Sequence, residues 1–248
     1  MSPESLVISL EHYGKWQLFY LNCMRKYFLL VFPFFFACQN NAVKEKKEPT
    51  TKAVKMNRGE TGVFSQPTFQ FNYDQQKQRC QDLYELNKRK RSSETEKKFI
   101  SFLTDSLLPC WYGTPWDYNG ITQVPGQGKI ACGYFVTTTL RDAGMKINRV
   151  KLAQCVSQNL LWDLCKDFKK FSDKSLEYFV SAVEKTGYGL YIVGLDNHTG
   201  YIFNDGKDVW FIHSGVYPPK CALKEKAINS ITLKNSRYRV FGRIVFDK

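Results

Sequence analysis

The chain reads as an α+β domain in which helices come first and an antiparallel sheet comes second. Up to about residue 187 the apolar residues recur at helical spacing. After Gly187 short apolar and aromatic runs alternate with turn residues, as strands and hairpins do. The supply of apolar material agrees. Of 248 residues, 43% are hydrophobic and 15% aromatic, enough for a packed core, which excludes wholesale disorder. No period of about 20–50 residues recurs, so a repeat architecture is excluded too.

Residues 39–75 are polar and aperiodic and read as a linker, with local ordering near Phe64–Tyr73. The folded domain is expected over 76–248. A polar helix is predicted at 76–92 with Leu83 and Leu86 on one side. A stronger helix follows over Ser93–Leu108. Ser93 stands three residues before Glu96 in a capping-box pattern, and Phe99, Phe102, Leu103 and Leu107 form its apolar stripe. Cys110–Gly120 is rich in aromatic and turn residues and leads into a loop through Pro125, Gly126 and Gly128. Residues 130–143 read as a buried helix stopping at Gly144. Helical patterns return at 150–166 and 174–186. Strands are predicted at Leu190–Leu195, Gly200–Phe203, Val209–His213, Ile231–Leu233 and Tyr238–Phe246. Asn204-Asp205-Gly206 is the hairpin turn between the second and third of these.

The start of the chain has a different character. Met24–Cys38 carries Arg25 and Lys26, then a short apolar run interrupted by Pro33, then Ala37-Cys38. The run is too short to cross a bilayer and reads as a signal peptide. Its ending resembles a bacterial lipoprotein lipobox. That resemblance implies lipidation of Cys38, a membrane anchor, and a place in the cell envelope or periplasm. Residues 1–23 contain Glu4, Glu11, His12 and Lys15 and form no basic leader. They read as an over-extended start, with Met24 as the expected initiator.

The formal net charge of +13 suits an anionic partner. Much of it lies in Lys44–Lys55, Lys88–Arg91 and Lys97–Lys98, which also suit a solvated linker or helix face. No nucleic-acid reading motif accompanies the charge, and a secretory signal argues against nucleic acid as the partner.

Chemistry concentrates on three residues. The chain has three histidines, and His12 lies in the doubtful leader. His198 opens one strand of the predicted hairpin and His213 closes the other, so the two imidazoles can meet. Cys132 sits at the head of the helix over 130–143. Unpaired N–H groups and the positive end of a helix favour a thiolate there, and an imidazole beside it can hold the pair as nucleophile and base. The Cys132 N–H can also help hold an oxyanion. No Cys-x-x-Cys or His-x-x-x-His spacing occurs, so neither a metal nor a cofactor is expected. Cys80, Cys110, Cys155, Cys165 and Cys221 are odd in number, and no disulfide is predicted among them. Asp196 suits a turn at a strand end or a partner for His198.

The order of Cys at a helix start, His opening a strand and a polar residue on the next strand resembles the papain-like enzymes, and more closely the NlpC-type cell-wall cysteine peptidases. Gly113-Thr114-Pro115-Trp116, His198-Thr199-Gly200-Tyr201-Ile202 and Phe211-Ile212-His213-Ser214 resemble three of their segments. The resemblance covers about residues 96–216. It implies a papain-like fold, Cys132 as nucleophile, His198 as general base and acid, and His213 as the residue orienting His198. It also implies a peptidoglycan stem peptide or a similar amide as substrate. Three positions depart from the family pattern: Ala131 and Gly133 replace its Asp and Ser, and Trp116 replaces a Tyr. Trp111, Tyr112, Trp116 and Tyr118, with Ser214, are the expected walls of a substrate groove. The expectation is a monomeric, lipid-anchored cysteine hydrolase. A non-catalytic lipoprotein of the same fold, binding an anionic envelope polymer, is the alternative.

Overall fold

The computed structural model describes residues 67–246, with side chains from residue 72. The expected leader, the lipobox Cys38 and the linker as far as residue 66 lie outside the described residues. Helices α1 (Pro67–Lys90) and α2 (Ser93–Phe102) come first. A π turn (Leu103–Leu107) and a 3-10 turn (Leu108–Trp111) extend α2. After a long loop come α3 (Cys132–Asp142), α4 (Arg149–Gln154) and α5 (Ser157–Leu164). The remainder is β1 (Cys165–Ser172), α6 (Leu176–Glu184), β2 (Gly189–Leu195), β3 (Thr199–Asn204), β4 (Val209–Ser214), β5 (Ala222–Lys226), α7 (Ile231–Asn235) and β6 (Tyr238–Ile244). The class is α+β. One six-stranded sheet runs in the order β1-β6-β2-β3-β4-β5 with every neighbouring pair antiparallel.

Side chains alternate across the sheet and bury both faces. On one face Ile192, Tyr201, Ile212 and Val240 meet Phe135, Val136 and Leu140 of α3, Leu161 of α5 and Phe99 of α2. On the other Val193, Ile202, Phe211 and Phe241 meet Phe179 and Val183 of α6 and Leu233 of α7. Strands β2 and β3 are buried along their whole length, which explains their near-continuous apolar sequence. The hairpin turn forms as its residues predict. Gly206 takes φ 92°, and Asp205 Oδ1 accepts the N–H groups of Lys207 and Asp208.

Several elements differ from the sequence expectation, each for a local reason. Helix α1 begins at Pro67, inside the expected linker. Its buried stripe is Tyr73, Cys80, Tyr84 and Asn87, while Leu83 and Leu86 are only half-buried. Tyr73 anchors it by donating to Asp142 Oδ2 at 2.7 Å. The cap of α2 is Ser92, whose hydroxyl accepts the Thr95 N–H, and Thr95 returns a bond to the Ser92 N–H. The expected helix at 150–166 breaks at Cys155 and Val156. Its end then becomes β1, an edge strand in which Lys166, Lys169 and Lys170 are exposed. Exposed lysines on an edge discourage pairing with another chain and erase the alternation that signals a strand. Ile231–Leu233 alternates like a strand but forms α7, because Ser230 Oγ accepts the Leu233 N–H and caps a helical turn.

One polar contact ties α3 to the sheet. Buried Tyr201 donates its hydroxyl to Val136 O at 2.9 Å and lies 2.7 Å from Thr139 Oγ1. Tyr201→Phe removes these bonds without changing the packing. Urea denaturation is expected to show a loss of about 1–2 kcal/mol with an unchanged m-value.

Candidate active site

Helix α3 starts at Cys132 because the chain before it is held extended. Ala131 has φ −78° and ψ 159° and donates its N–H to Gly120 O at 2.8 Å. Ile130 donates to Pro115 O, and Ser214 Oγ donates to Ile130 O at 2.7 Å. The aromatic segment is itself fastened to the edge of the sheet: Gly113 donates to Ala222 O, and Trp116 to Lys220 O. Loop and strand end therefore clamp the head of the helix.

No side chain caps α3. The N–H groups of Cys132 and Gly133 instead face the Cys132 sulfur, joined by the N–H of Thr199 at the start of β3. Gly133 is required by packing. A Cβ there would stand 2.5 Å from Ala153 O, a backbone atom at the end of α4. A serine, or any other side chain, therefore has no room at this position.

His198 stands in the turn between β2 and β3, closed by Leu195 N–H donating to His198 O at 2.9 Å. Asp196 is the anchor of that turn. It accepts Ser236 Oγ and the N–H groups of Arg237 and Tyr238, so its carboxylate is spent on backbone positioning. From β4, His213 Nδ1 lies 2.9 Å from His198 Nε2. His213 Nε2 lies 3.1 Å from Glu225 Oε1 on β5. Phe211 stacks on the His213 ring at 3.9 Å, and Gly200 leaves room for both, since a Cβ there would reach within 2.8 Å of each. Glu225 and His213 of the sheet and His198 of the adjoining turn thus form a connected series of three polar groups.

Burial governs the charges. It pushes the Cys132 thiol up, against the N–H groups of Thr199, Gly133 and Cys132 that favour the thiolate. It drives His198 down to about 3, helped by the neighbouring His213. His213 is also lowered by burial, and Glu225 opposes that shift. Burial works against the Glu225 charge as well, but hydrogen bonds from His213 and Ser230 hold its carboxyl below the usual range. A lone thiolate or a lone imidazolium is therefore disfavoured here. This differs from the ready-made thiolate that the helix end alone suggests: desolvation outweighs the N–H groups that face the sulfur.

Cys132 and His198 line one groove of about 710 Å³, together with Trp116, Tyr118, Ile121, Tyr217 and Asn235. Tyr118 is 81% exposed at its rim. Three expected wall residues stand elsewhere. Trp111 is fully buried in the core and donates its indole N–H to Tyr73. Tyr112 packs against the same core with its hydroxyl buried and unpartnered. Ser214 is buried beneath Ile130. The aromatic run packs inward at Trp111 and outward at Trp116, which composition alone does not separate. Residues without a sequence signal take their place. Tyr134 and Tyr217 line the groove with hydroxyls accepting from Gln154 and Asn235, and Cys155 lines it as well. Glu225 was equally hidden, one acid in the run Leu-Lys-Glu-Lys; only its alternation with Leu223 places it on the His213 face.

Gly133→Ser is expected to lose about 1–3 kcal/mol of stability through overpacking against Ala153 O, read by thermal or urea unfolding. Gly133→Ala should lose a similar amount, because the first added carbon makes the clash. No family model, no curated protein and no solved structure matches this chain.

Proposed function

We propose that the protein is a papain-like cysteine hydrolase of the NlpC type that cleaves amide bonds through a thioester on Cys132. The observation that carries this reading is the sequence Glu225–His213–His198 entering the groove that holds the thiol. His198 Nε2 is taken by His213, which leaves Nδ1 for the Cys132 proton. As Sγ attacks the substrate carbonyl, the proton passes to His198 and the oxyanion forms beside the N–H groups of the helix head, which no longer have a thiolate to face. Neither charge has to exist alone in the buried site, because thiolate and imidazolium arise together and attract each other. His198 then protonates the leaving amine, the C–N bond breaks and the thioester remains. Water, deprotonated by His198, attacks the thioester, releases the acid and restores the thiol. The steps need no cofactor.

The groove suits a peptide. Asn119, Gln154, Asn197 and Asn235 offer neutral donors and acceptors for backbone amides, between apolar faces from Trp116, Ile121 and Val216. With Cys38 lipidated, the enzyme would work as a monomer at the periplasmic face of a membrane, on peptidoglycan stem peptides. A second reading, a non-catalytic lipoprotein of the same fold binding an anionic envelope polymer, is favoured by one observation: burial holds both Cys132 and His198 neutral.

Cell-wall sacculi digested with the purified protein and analysed by mass spectrometry decide between them. The hydrolase releases peptide fragments. Cys132→Ala and His198→Ala abolish release, and His213→Ala slows it roughly a hundredfold, since it misorients the base without removing it. Release by Cys132→Ala at the wild-type rate sinks the reading.

A further inference from the structure

We infer that Glu225 is a positioning residue for the Cys132–His198 pair: its carboxylate fixes the tautomers of His213 and His198 so that His198 Nδ1 presents a lone pair to the groove. This rests on the hydrolase reading.

An ionised carboxylate only accepts. The contact between Glu225 Oε1 and His213 Nε2 therefore needs a hydrogen on Nε2. A neutral His213 then has a bare Nδ1. The 2.9 Å contact from His213 Nδ1 to His198 Nε2 needs its own hydrogen, which must come from His198. With Nε2 protonated, neutral His198 keeps its lone pair on Nδ1. The opposite assignment would set the His213 Nε2 lone pair against the carboxylate. One acid on the edge strand thus decides which nitrogen of a residue two steps away is basic.

Glu225 is itself held in place. In the β4–β5 register Glu225 stands opposite Phe211 and Leu223 opposite His213, so Glu225 reaches His213 diagonally on one face. Its carboxylate also bonds the Ser230 side chain, whose oxygen already accepts the Leu233 N–H. The His213 side chain is 2% exposed and that of Glu225 27%, so the acid keeps part of its hydration while acting on a buried ring. When His198 takes the thiol proton, this negative charge stabilises the imidazolium through His213.

The other titratable groups facing the pair are few. Cys155, Tyr118, Tyr134 and Tyr217 stand on the groove walls, and Asp196 is tied into its turn. No lysine or arginine lines the groove among the described residues. Glu225 is then the acid in contact with the histidine pair.

The test is the pH dependence of iodoacetamide alkylation at Cys132, read peptide by peptide by mass spectrometry because Cys80, Cys110, Cys155, Cys165 and Cys221 also carry thiols. Glu225→Gln removes the charge, and its amide can turn to donate to His213 and reverse the tautomers. Either effect is expected to move the Cys132 midpoint to more alkaline pH by about one unit. Alkylation near neutrality then slows about tenfold, with the alkaline plateau unchanged. Cys155 alkylation should not move, which a merely structural loss would not spare. Glu225→Ala should shift the midpoint at least as far, and unfolding curves verify that both variants fold. A Glu225→Gln profile that coincides with wild type, while His198→Ala shifts strongly, overturns the role of Glu225 and leaves the hydrolase reading standing. A wild-type profile that His198→Ala leaves unchanged overturns both.

Discussion

Helix α3 lies across the centre of the sheet, held by Tyr201, whose hydroxyl meets Val136 and Thr139 in the middle of the helix. Phe135 and Leu140 pack on either side of that contact. Once the helix is fixed there, its first residue has one place to be, at the end of the sheet where β3 begins and β4 finishes. The Thr199 N–H reaches the Cys132 sulfur for this reason. The position of the thiol is a consequence of core packing several residues away. A hydroxyl buried without a partner would cost about 1–3 kcal/mol, so the Tyr201 contact adds to the stability of this docking.

The site sets hydrogen-bond order against burial. Desolvation disfavours a charge on Cys132 and on His198. Such a pair is useful only if the base presents the right nitrogen and if the positive charge, once formed, meets a negative one. The groups on β4 and β5 meet both needs at no cost to the groove wall, since they stand behind His198 on the strand face packed by Phe211. Gly200 is the backbone condition for that stack, because any side chain there would press on His213 and Phe211. In the proposed hydrolase two tasks are separated: α3 and the β2–β3 turn carry the thiol and the base, while His213 on β4 and Glu225 on β5 orient the base.

Much of this was legible in the chain. The helix head at Cys132 was readable because Gly128 and the apolar run after Ile130 mark a loop-to-helix boundary. The meeting of His198 and His213 followed from hairpin length and from Asn204-Asp205-Gly206. What was not legible depends on partners distant in sequence. β1 and β5 are polar edge strands, and their residues have no apolar alternation to betray them. The role of Glu225 requires knowing that β5 lies beside β4, which no local pattern states. Trp111 and Trp116 have the same composition and opposite fates. The first sits on the 3-10 turn that faces the core, and the second follows Pro115 on the segment pinned outside β5. The departure at Gly133 was readable in the chain, but its reason, the close approach of Ala153 O, was not.

The net charge of +13 bears on the groove in an unexpected way. A basic protein acting on an acidic polymer suggests a cationic site, yet no lysine or arginine lines the groove among the described residues. Cations stand instead on the exposed end of α1, at Arg89 and Lys90, and along the edge strand β1, at Lys166, Lys169 and Lys170. At physiological ionic strength, charges farther away than about 8 Å are largely screened at a selective contact, although they still raise the encounter rate with an anionic surface. Charge and selectivity are thus handled by different parts of the molecule. The basic exterior can hold the protein near a negative polymer, while the neutral amides and aromatic rings around Cys132 choose by shape and hydrogen bonding. On the proposed hydrolase reading, a substrate segment entering that groove should be uncharged over the residues beside the cleaved bond, because Asp196, the only acid on the wall among the described residues, is already committed to the N–H groups of Arg237 and Tyr238.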